Sequence, residues 1–230
     1  MTYGGLRVLG AGILAMLCAW AGARVYVNWH SRSVAELRVP AGLASAPSPM
    51  DSTPEAALAT LPVRIPDALP DFRLSNLQGQ STPISTWAGR PLVINFWATW
   101  CAPCRREIPL LKTLAGEWAS QQVTVVGVAV DHRDPVLHFA DEFKIGYPLL
   151  IGEQDALDVA AKFGMPSPAF PFTVFTDRRG EVVALFVGEL HRPQADLIMS
   201  AVHKLDQGSL QLPQARRQIA AGLDALAEKT

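Results

Sequence analysis

The sequence predicts an α/β fold, a central mixed sheet flanked by helices, from two observations. First, residues 91–97 and 123–130 are apolar runs rich in strand formers, and they enclose residues 102–120, whose apolar side chains recur every three or four positions. A strand, a helix and a strand in this order form a β-α-β unit with parallel strands and a right-handed crossover. Second, two hairpins predicted from their turn residues add antiparallel strands to the sheet.

The other elements follow from local signals. The hairpin turns lie at residues 76–80 and at residues 177–180, which read Asp-Arg-Arg-Gly. Asp134 predicts an N-cap, with Pro135 at the first position of the helix that follows. The remaining predicted elements are strands at 71–74, 82–84, 147–151, 172–177 and 181–187, and helices at 134–143, 154–163, 193–204 and 213–228.

Composition excludes several classes of protein. The chain has 230 residues, of which 49% are hydrophobic and 18% charged, so it carries too much apolar surface to remain disordered. Its formal net charge of −1 gives no basic footprint, and we expect no nucleic-acid partner. Three cysteines are too few for a disulfide-stapled scaffold.

Residues 1–30 predict a transmembrane anchor or a signal peptide. Residues 8–23 are uncharged, and a helix of that length rises about 24 Å, short of the roughly 30 Å hydrocarbon core. The span reaches about 20 residues when Arg24 snorkels and residues 25–27 join it. We expect an uncleaved single-pass anchor. The alternative is a signal peptide cleaved near Ala23, at an A-x-A-type site.

Changes in composition divide the rest of the chain into three parts. Residues 31–66 predict a linker, because they are rich in Pro, Ala and Ser from position 40 onwards and lack a sustained apolar period. Residues 67–205 contain the β-α-β unit and both hairpins, and they form the predicted folded domain. Residues 206–230 predict a C-terminal helical extension.

The motif WCAPC at residues 100–104 lies where the first strand of the β-α-β unit meets its helix. A C-x-x-C pair in this context predicts a thioredoxin-like redox dithiol. Because a helix N-terminus stabilises a thiolate, Cys101 is predicted to be an exposed nucleophile with a lowered pKa. Cys104, one turn into the helix, is predicted to resolve the mixed disulfide.

A metal site is the main alternative for any C-x-x-C pair. Structural zinc takes four ligands, whereas the only other cysteine is Cys18 and the five histidines are scattered. A static disulfide is a second alternative, but so short a loop removes little entropy from the unfolded chain. The sequence therefore predicts no cofactor and no metal, only a redox-active disulfide between Cys101 and Cys104.

Residues 93–107, read with the C-x-x-C pair, resemble the active-site segment of the TlpA/ResA-like thiol–disulfide oxidoreductases. The resemblance extends over about residues 67–205 and implies a thioredoxin-like fold. Members are tethered to the bacterial inner membrane and face the periplasm, so the resemblance implies this location, or a soluble periplasmic protein after cleavage. It also implies protein thiol or disulfide substrates, the reductase direction, and a membrane-embedded protein that donates electrons.

The resemblance assigns a role to Glu107, three residues after Cys104. It matches a glutamate that influences thiol protonation in ResA-like members. Asn95 stands where cytosolic thioredoxins carry a buried aspartate, so Glu107 is the expected proton acceptor. The alternative is an ordinary solvated glutamate, paired with a neighbouring arginine.

The resemblance also predicts a cis peptide bond before Pro171, with Pro166 or Pro168 as alternatives. In thioredoxin folds the backbone beside this proline pairs with the substrate chain. Phe170 and Phe172 depart from the usual pattern around it, and the glutamate that cytochrome c maturation members carry in this loop is absent.

Two tryptophans flank the motif. Trp100 is predicted to shield the disulfide and to offer an apolar surface to substrates, whereas Trp97 is predicted to pack in the core. Together with Phe170 and Pro171, Trp100 completes the predicted substrate-binding residues.

Three other functions fit parts of the pattern. A disulfide-forming oxidant would run the cycle backwards with the same residues, since redox potential and partner set the direction. A peroxide-reducing enzyme on a related fold would carry a P-x-x-x-T-x-x-C signature, which the sequence lacks. A copper-handling module would use Cys101 and Cys104 as soft ligands, but no Met or His adjoins the motif.

Overall fold

The computed structural model describes residues 65–165 and 169–228. The predicted anchor, the cleavage site near Ala23, most of the linker, Pro166 and Pro168 lie outside the described residues. Among the helices that are described, none is long and apolar enough to cross a membrane.

Strands and helices alternate along the described chain. The strands are β1 (Arg73–Asn76), β2 (Ser81–Pro83), β3 (Leu92–Trp97), β4 (Thr124–Val130), β5 (Leu149–Gly152), β6 (Phe172–Thr176) and β7 (Val182–Val187). The helices are α1 (Ala102–Trp118), α2 (Arg133–Glu142), α3 (Gln154–Lys162), α4 (Arg192–Asp206) and α5 (Leu212–Ala227), with short 3-10 turns at Ile84–Trp87 and Ala119–Gln121. Each predicted strand and helix is present, with its ends within about two residues of the predicted positions.

The strands form one mixed sheet in the order β2-β1-β5-β4-β3-β6-β7. Strands β3, β4 and β5 are parallel, and the other neighbouring pairs are antiparallel. The predicted β-α-β unit is confirmed, because Leu92 pairs with Thr124 and Trp97 with Ala129 in a parallel register. Since parallel strands end at the same edge of a sheet, the residues that follow β3, β4 and β5 meet there.

The central strand β3 lies between two apolar clusters, and all six of its residues are buried. Val93 and Trp97 belong to one cluster, with side chains of α1, α2 and α4. Ile94 and Phe96 belong to the other, with side chains of α3 and β6. Alternate residues of a strand point to opposite faces, so β3 contributes to both layers of the core.

The start of α2 differs from the prediction. His132, rather than Asp134, is the N-cap, and Asp134 and Pro135 both lie in the first turn of the helix. The physical reason is that the first turn has no intrahelical acceptors for its N–H groups, so proline is tolerated at any of its positions. Asp131, just before the helix, accepts a hydrogen bond from the His132 N–H at 2.8 Å.

Candidate active site

The two cysteines of the motif form a disulfide at the N-terminus of α1. Cys101 is the N-cap, and its Sγ accepts a hydrogen bond from the Cys104 N–H at 3.3 Å. Pro103 lies in the first turn, where it removes no intrahelical hydrogen bond. After reduction, the same N–H and the positive end of the helix dipole stabilise a thiolate on Cys101.

The disulfide is more buried than the sequence predicts. Cys104 is fully buried and Cys101 is 6% exposed, so the prediction of an exposed Cys101 is wrong for this oxidised state. Cys101 is bonded to the sulfur of Cys104, whose side chain is packed in the core. The disulfide therefore holds Cys101 against the apolar cluster to which Cys104 belongs.

Glu107 is buried one turn after Cys104 in α1, with 1% of its surface exposed. Its Oε2 accepts a hydrogen bond from the Leu190 N–H at 2.8 Å, and its Oε1 accepts one from Asn95 Nδ2 at 2.8 Å. Burial raises the pKa of Glu107 to about 7, although both hydrogen bonds oppose the shift and the nearby charge of Glu189 adds to it. The alternative of a solvated Glu107 is therefore wrong.

Neither neighbouring arginine pairs with Glu107 in its hydrogen bonds. Arg106 instead forms an ion pair with Glu189 at 2.5 Å, and the Arg105 guanidinium lies over the rings of Phe139 and Phe143. The carboxyl of Glu107 is thus held by an amide and a backbone N–H, donors whose charge does not change with pH.

The short loop after β7 makes hydrogen bonds on two sides. It contacts α1, the helix that carries the cysteines, and Pro171, the residue just before β6. The Phe170–Pro171 peptide bond is cis, as predicted, and Pro171 O accepts a hydrogen bond from the Gly188 N–H at 2.8 Å. Two residues on, Leu190 donates to Glu107. Asn95 adds a second link, since its Nδ2 also donates to Thr173 Oγ1 at 3.0 Å.

Sequence analysis missed Thr173, Gly188, Glu189 and Leu190. Thr173 lies 78 residues from Asn95, and Leu190 lies 83 residues from Glu107. The contacts of these residues use backbone atoms or common polar side chains, which leave no mark in residue spacing. Only the predicted antiparallel hairpin of β6 and β7 indicated that this loop would return towards the motif.

Aromatic side chains form the outer surface of the site. Trp100 is 68% exposed and meets Phe170 edge to face, with ring centroids 6.2 Å apart. Trp97 is fully buried and packs against Phe139, as predicted. The turn that presents Trp100 is fixed by Asp131, whose Oδ2 accepts hydrogen bonds from the Thr99 N–H at 3.0 Å and the Thr99 hydroxyl at 2.5 Å.

The chemistry available at this site is that of a dithiol. In residues 65–165 and 169–228, no group of three or more His, Cys, Asp or Glu side chains is arranged to hold a metal ion. A buried disulfide at a helix N-terminus, with a carboxyl group of raised pKa one turn further on, is suited to thiol–disulfide exchange.

The fold and the site define a thiol–disulfide oxidoreductase of the thioredoxin-like class. Comparison of the sequence with known families agrees with this class. The AhpC/TSA family matches residues 65–185, and the chain belongs to that family.

Individual relatives carry matching names. The thiol-disulfide oxidoreductase ResA of Geobacillus kaustophilus is 26% identical over 196 residues, which cover 85% of this chain and 95% of the relative. The thioredoxin-like protein YneN of Bacillus subtilis is 32% identical over 131 residues, or 55% of this chain and 74% of the relative. The crystal structure of a DsbF homologue from Corynebacterium diphtheriae is 27% identical, has a TM-score of 0.50, and covers 57% of this chain and 83% of that one. The predicted thiol–disulfide oxidoreductase activity is confirmed.

Proposed function

We propose that the protein reduces disulfides of extracytoplasmic proteins, with Cys101 as nucleophile and Cys104 as resolving thiol. The observation that carries the reductase direction is the buried carboxyl group of Glu107, one turn from Cys104 on the same face of α1. An ionised carboxylate disfavours a nearby thiolate. Stabilisation of the reduced form makes a dithiol pair a strong oxidant. Because this carboxylate destabilises the reduced form, it makes the pair a better reductant.

The surrounding cations support the same direction. Arg106 pairs with Glu189, and Arg105 lies over Phe139 and Phe143. Both positive charges that follow Cys104 in sequence are thus engaged by other groups, so they do little to offset the charge of Glu107.

The proposed cycle balances in atoms and electrons. The Cys101 thiolate attacks one sulfur of a substrate disulfide, which forms a mixed disulfide and releases one substrate thiolate to take a proton from water. Cys104 then loses its proton to the Glu107 carboxylate and attacks Cys101 Sγ, which releases the second substrate thiolate. The substrate gains two electrons, and the enzyme ends with the Cys101–Cys104 disulfide, ready for re-reduction.

Location and electron supply are part of the proposal. A single-pass anchor formed around residues 8–23 and a linker over residues 31–66 would hold the catalytic domain near the periplasmic face of the inner membrane. A membrane-embedded donor would return two electrons to the disulfide after each cycle. Alkaline phosphatase fused after residue 66 is expected to be active in intact cells, and an inactive fusion would contradict this location.

The redox potential tests the direction of exchange. The full chain in detergent is equilibrated with glutathione or dithiothreitol buffers, and its thiols are trapped by alkylation. A midpoint below about −200 mV is expected, whereas a midpoint near about −120 mV would identify a disulfide donor and reverse the assignment. At pH 8, Glu107→Gln is expected to raise the midpoint by about 30 mV or more, while Glu117→Gln, on the exposed face of the same helix, leaves it unchanged.

A further inference from the structure

A groove of about 750 Å³ is lined by Trp100, the residue that precedes Cys101. Trp100, Asp131 and Glu153 line it, and each follows closely on the carboxyl end of one of the three parallel strands β3, β4 and β5. Ligands of open α/β sheets bind outside the carboxyl ends of the strands. Phe170, beside the cis peptide bond, also lines the groove, so the groove is continuous with the proposed substrate-binding surface.

One wall of the groove is apolar. The exposed ring of Trp100 and the half-buried ring of Phe170 meet edge to face, and Val130 and Leu157 lie beside them. An apolar side chain that enters from the active site would be covered by two aromatic rings and two aliphatic side chains.

The rim of the groove is acidic. Asp131 is held in place by hydrogen bonds from Thr99 and from the His132 N–H, which fix its carboxylate at the mouth. Glu153 is largely exposed and pairs with His132, whose Nδ1 lies 2.9 Å from Glu153 Oε2. These two carboxylates and one histidine are the titratable side chains of the described lining, which includes no lysine or arginine. The rim therefore attracts positive charge.

We propose that this groove selects substrate segments that carry an apolar and a basic side chain close to their redox-active cysteine. The inference rests on the proposed reductase function and names the substrate class of the same site. The apolar side chain lies against the aromatic wall, and the basic side chain lies at the rim defined by Asp131 and Glu153. Charges at an exposed rim act mainly on the rate of association and on its salt dependence.

The test compares three disulfides reduced by the pre-reduced full chain in single-turnover experiments. Two are peptides that differ only in an Arg or a Glu three residues from the cysteine, each joined to thiopyridine in a mixed disulfide and each with a phenylalanine next to the cysteine. The third is neutral dipyridyl disulfide. The Arg peptide is expected to react about three- to tenfold faster than the Glu peptide at low salt, and the ratio is expected to shrink in 0.5 M salt, where the Debye length is only about 4 Å.

Variants separate the groove from the general charge of the protein. Glu153→Lys is expected to abolish the preference between the two peptides, because the new lysine offsets the charge of Asp131. It removes no capping hydrogen bond, because the Glu153 side chain makes none at the start of α3. Glu142→Lys is the matched control, since Glu142 also pairs with a histidine, His138, but lies at the end of α2 and outside the groove lining. It is expected to leave the ratio unchanged.

A second peptide pair tests the apolar wall. Replacing the phenylalanine of the Arg peptide by serine is expected to lower its rate severalfold, and Leu157→Ser in the protein is expected to reduce that difference. If dipyridyl disulfide is reduced but the Arg and Glu peptides react at equal rates, the selection is refuted and the reductase function stands. If dipyridyl disulfide is not reduced, the proposed function fails and the selection fails with it.

Discussion

At the scale of single residues, Glu107 combines two opposing effects. Burial favours its protonated form, whereas the hydrogen bonds from Leu190 and Asn95 favour the carboxylate. The balance places its pKa at about 7, close to the pH at which a proton must be taken up and released in each cycle. Hydrogen bonds from an amide and a backbone N–H hold both oxygens without adding a positive charge that would lower the pKa further.

The raised pKa of Glu107 predicts a pH dependence of stability. Because the folded protein binds this proton more tightly than the unfolded chain, stability from this group is present below about pH 4.5 and is lost as the pH rises through about 7. The shift corresponds to about 3 kcal/mol in the free energy of unfolding. Urea titrations of the oxidised wild type and Glu107→Gln are expected to show the wild type losing about that amount relative to the variant between pH 4.5 and pH 8.

The control for this prediction is Glu117→Gln, which changes an exposed glutamate on the same helix. Its difference from the wild type should stay nearly constant over the same pH range. A constant difference for Glu107→Gln as well would show that Glu107 ionises normally in the folded protein.

The sequence predicted the residues of the site better than their contacts. Cys101, Cys104 and Glu107 stand at fixed short spacings on one helix, so their grouping follows from helical geometry. The cis bond before Pro171, which the family resemblance implied, is also present. The Leu190 N–H, by contrast, approaches Glu107 only because β6 and β7 fold back along β3, and a backbone donor carries no residue-type signal. The catalytic roles of Cys101, Cys104 and Glu107 stay predictions that the proposed experiments test.

At the scale of elements, the parallel pair β3–β4 is closely packed at Gly127. A Cβ atom there would lie 2.5 Å from Leu149 Cδ2, 3.1 Å from Trp97 Nε1 and 3.2 Å from Tyr147 Cε2. The three neighbours come from strands β5 and β3 and from the segment before β5, and all are buried. Glycine at this position therefore lets a large tryptophan fill the space beneath the cysteine helix.

Gly127→Ala is predicted to destabilise the protein by about 1–3 kcal/mol, the usual cost of adding a methyl group to a filled core. Gly116→Ala is the matched control, because Gly116 lies on the exposed face of α1 and a Cβ there would meet nothing within 4 Å. That control is predicted to stabilise the protein by about 0.5–1 kcal/mol, since alanine favours a helix. Urea midpoints measure both, and a Gly127→Ala variant as stable as the wild type would show that the neighbouring side chains can shift to admit the methyl group.

Element types were predictable because their periodic patterns are long and strong, whereas the cap of α2 was not. Asp131 and Asp134 are both favoured residue types near a helix start, whereas His132, the observed N-cap, makes no side-chain capping hydrogen bond. Tertiary structure decides among them: Asp131 binds Thr99 of the loop after β3, and this contact fixes where the chain turns into α2.

At the scale of the whole molecule, the C-terminal helix α5 covers one side of the fold. Its residues Ala215 and Ile219 are buried in the same cluster as residues of α4, and Gly222 approaches so closely that a Cβ there would lie 2.7 Å from Leu197 Cδ2. Arg216 donates to Val182 O in β7 at 2.7 Å and to Asp67 Oδ1 at 2.8 Å. Arg216 thus links helix α5 to β7 and to the segment that precedes β1.

A chain that ends at residue 209 is therefore predicted to be less stable by about 3 kcal/mol or more, since burial of Ile219 alone contributes about 1.5–3 kcal/mol. Its redox midpoint is predicted to stay within about 10 mV of the full chain, because the groups that contact the cysteines and Glu107 belong to α1, β3 and the loop after β7. Thermal unfolding and glutathione equilibration of the two chains measure both quantities. A shifted midpoint with unchanged stability would instead place α5 in the redox machinery, since a helix that only supports the fold changes the free energy of the oxidised and reduced forms alike.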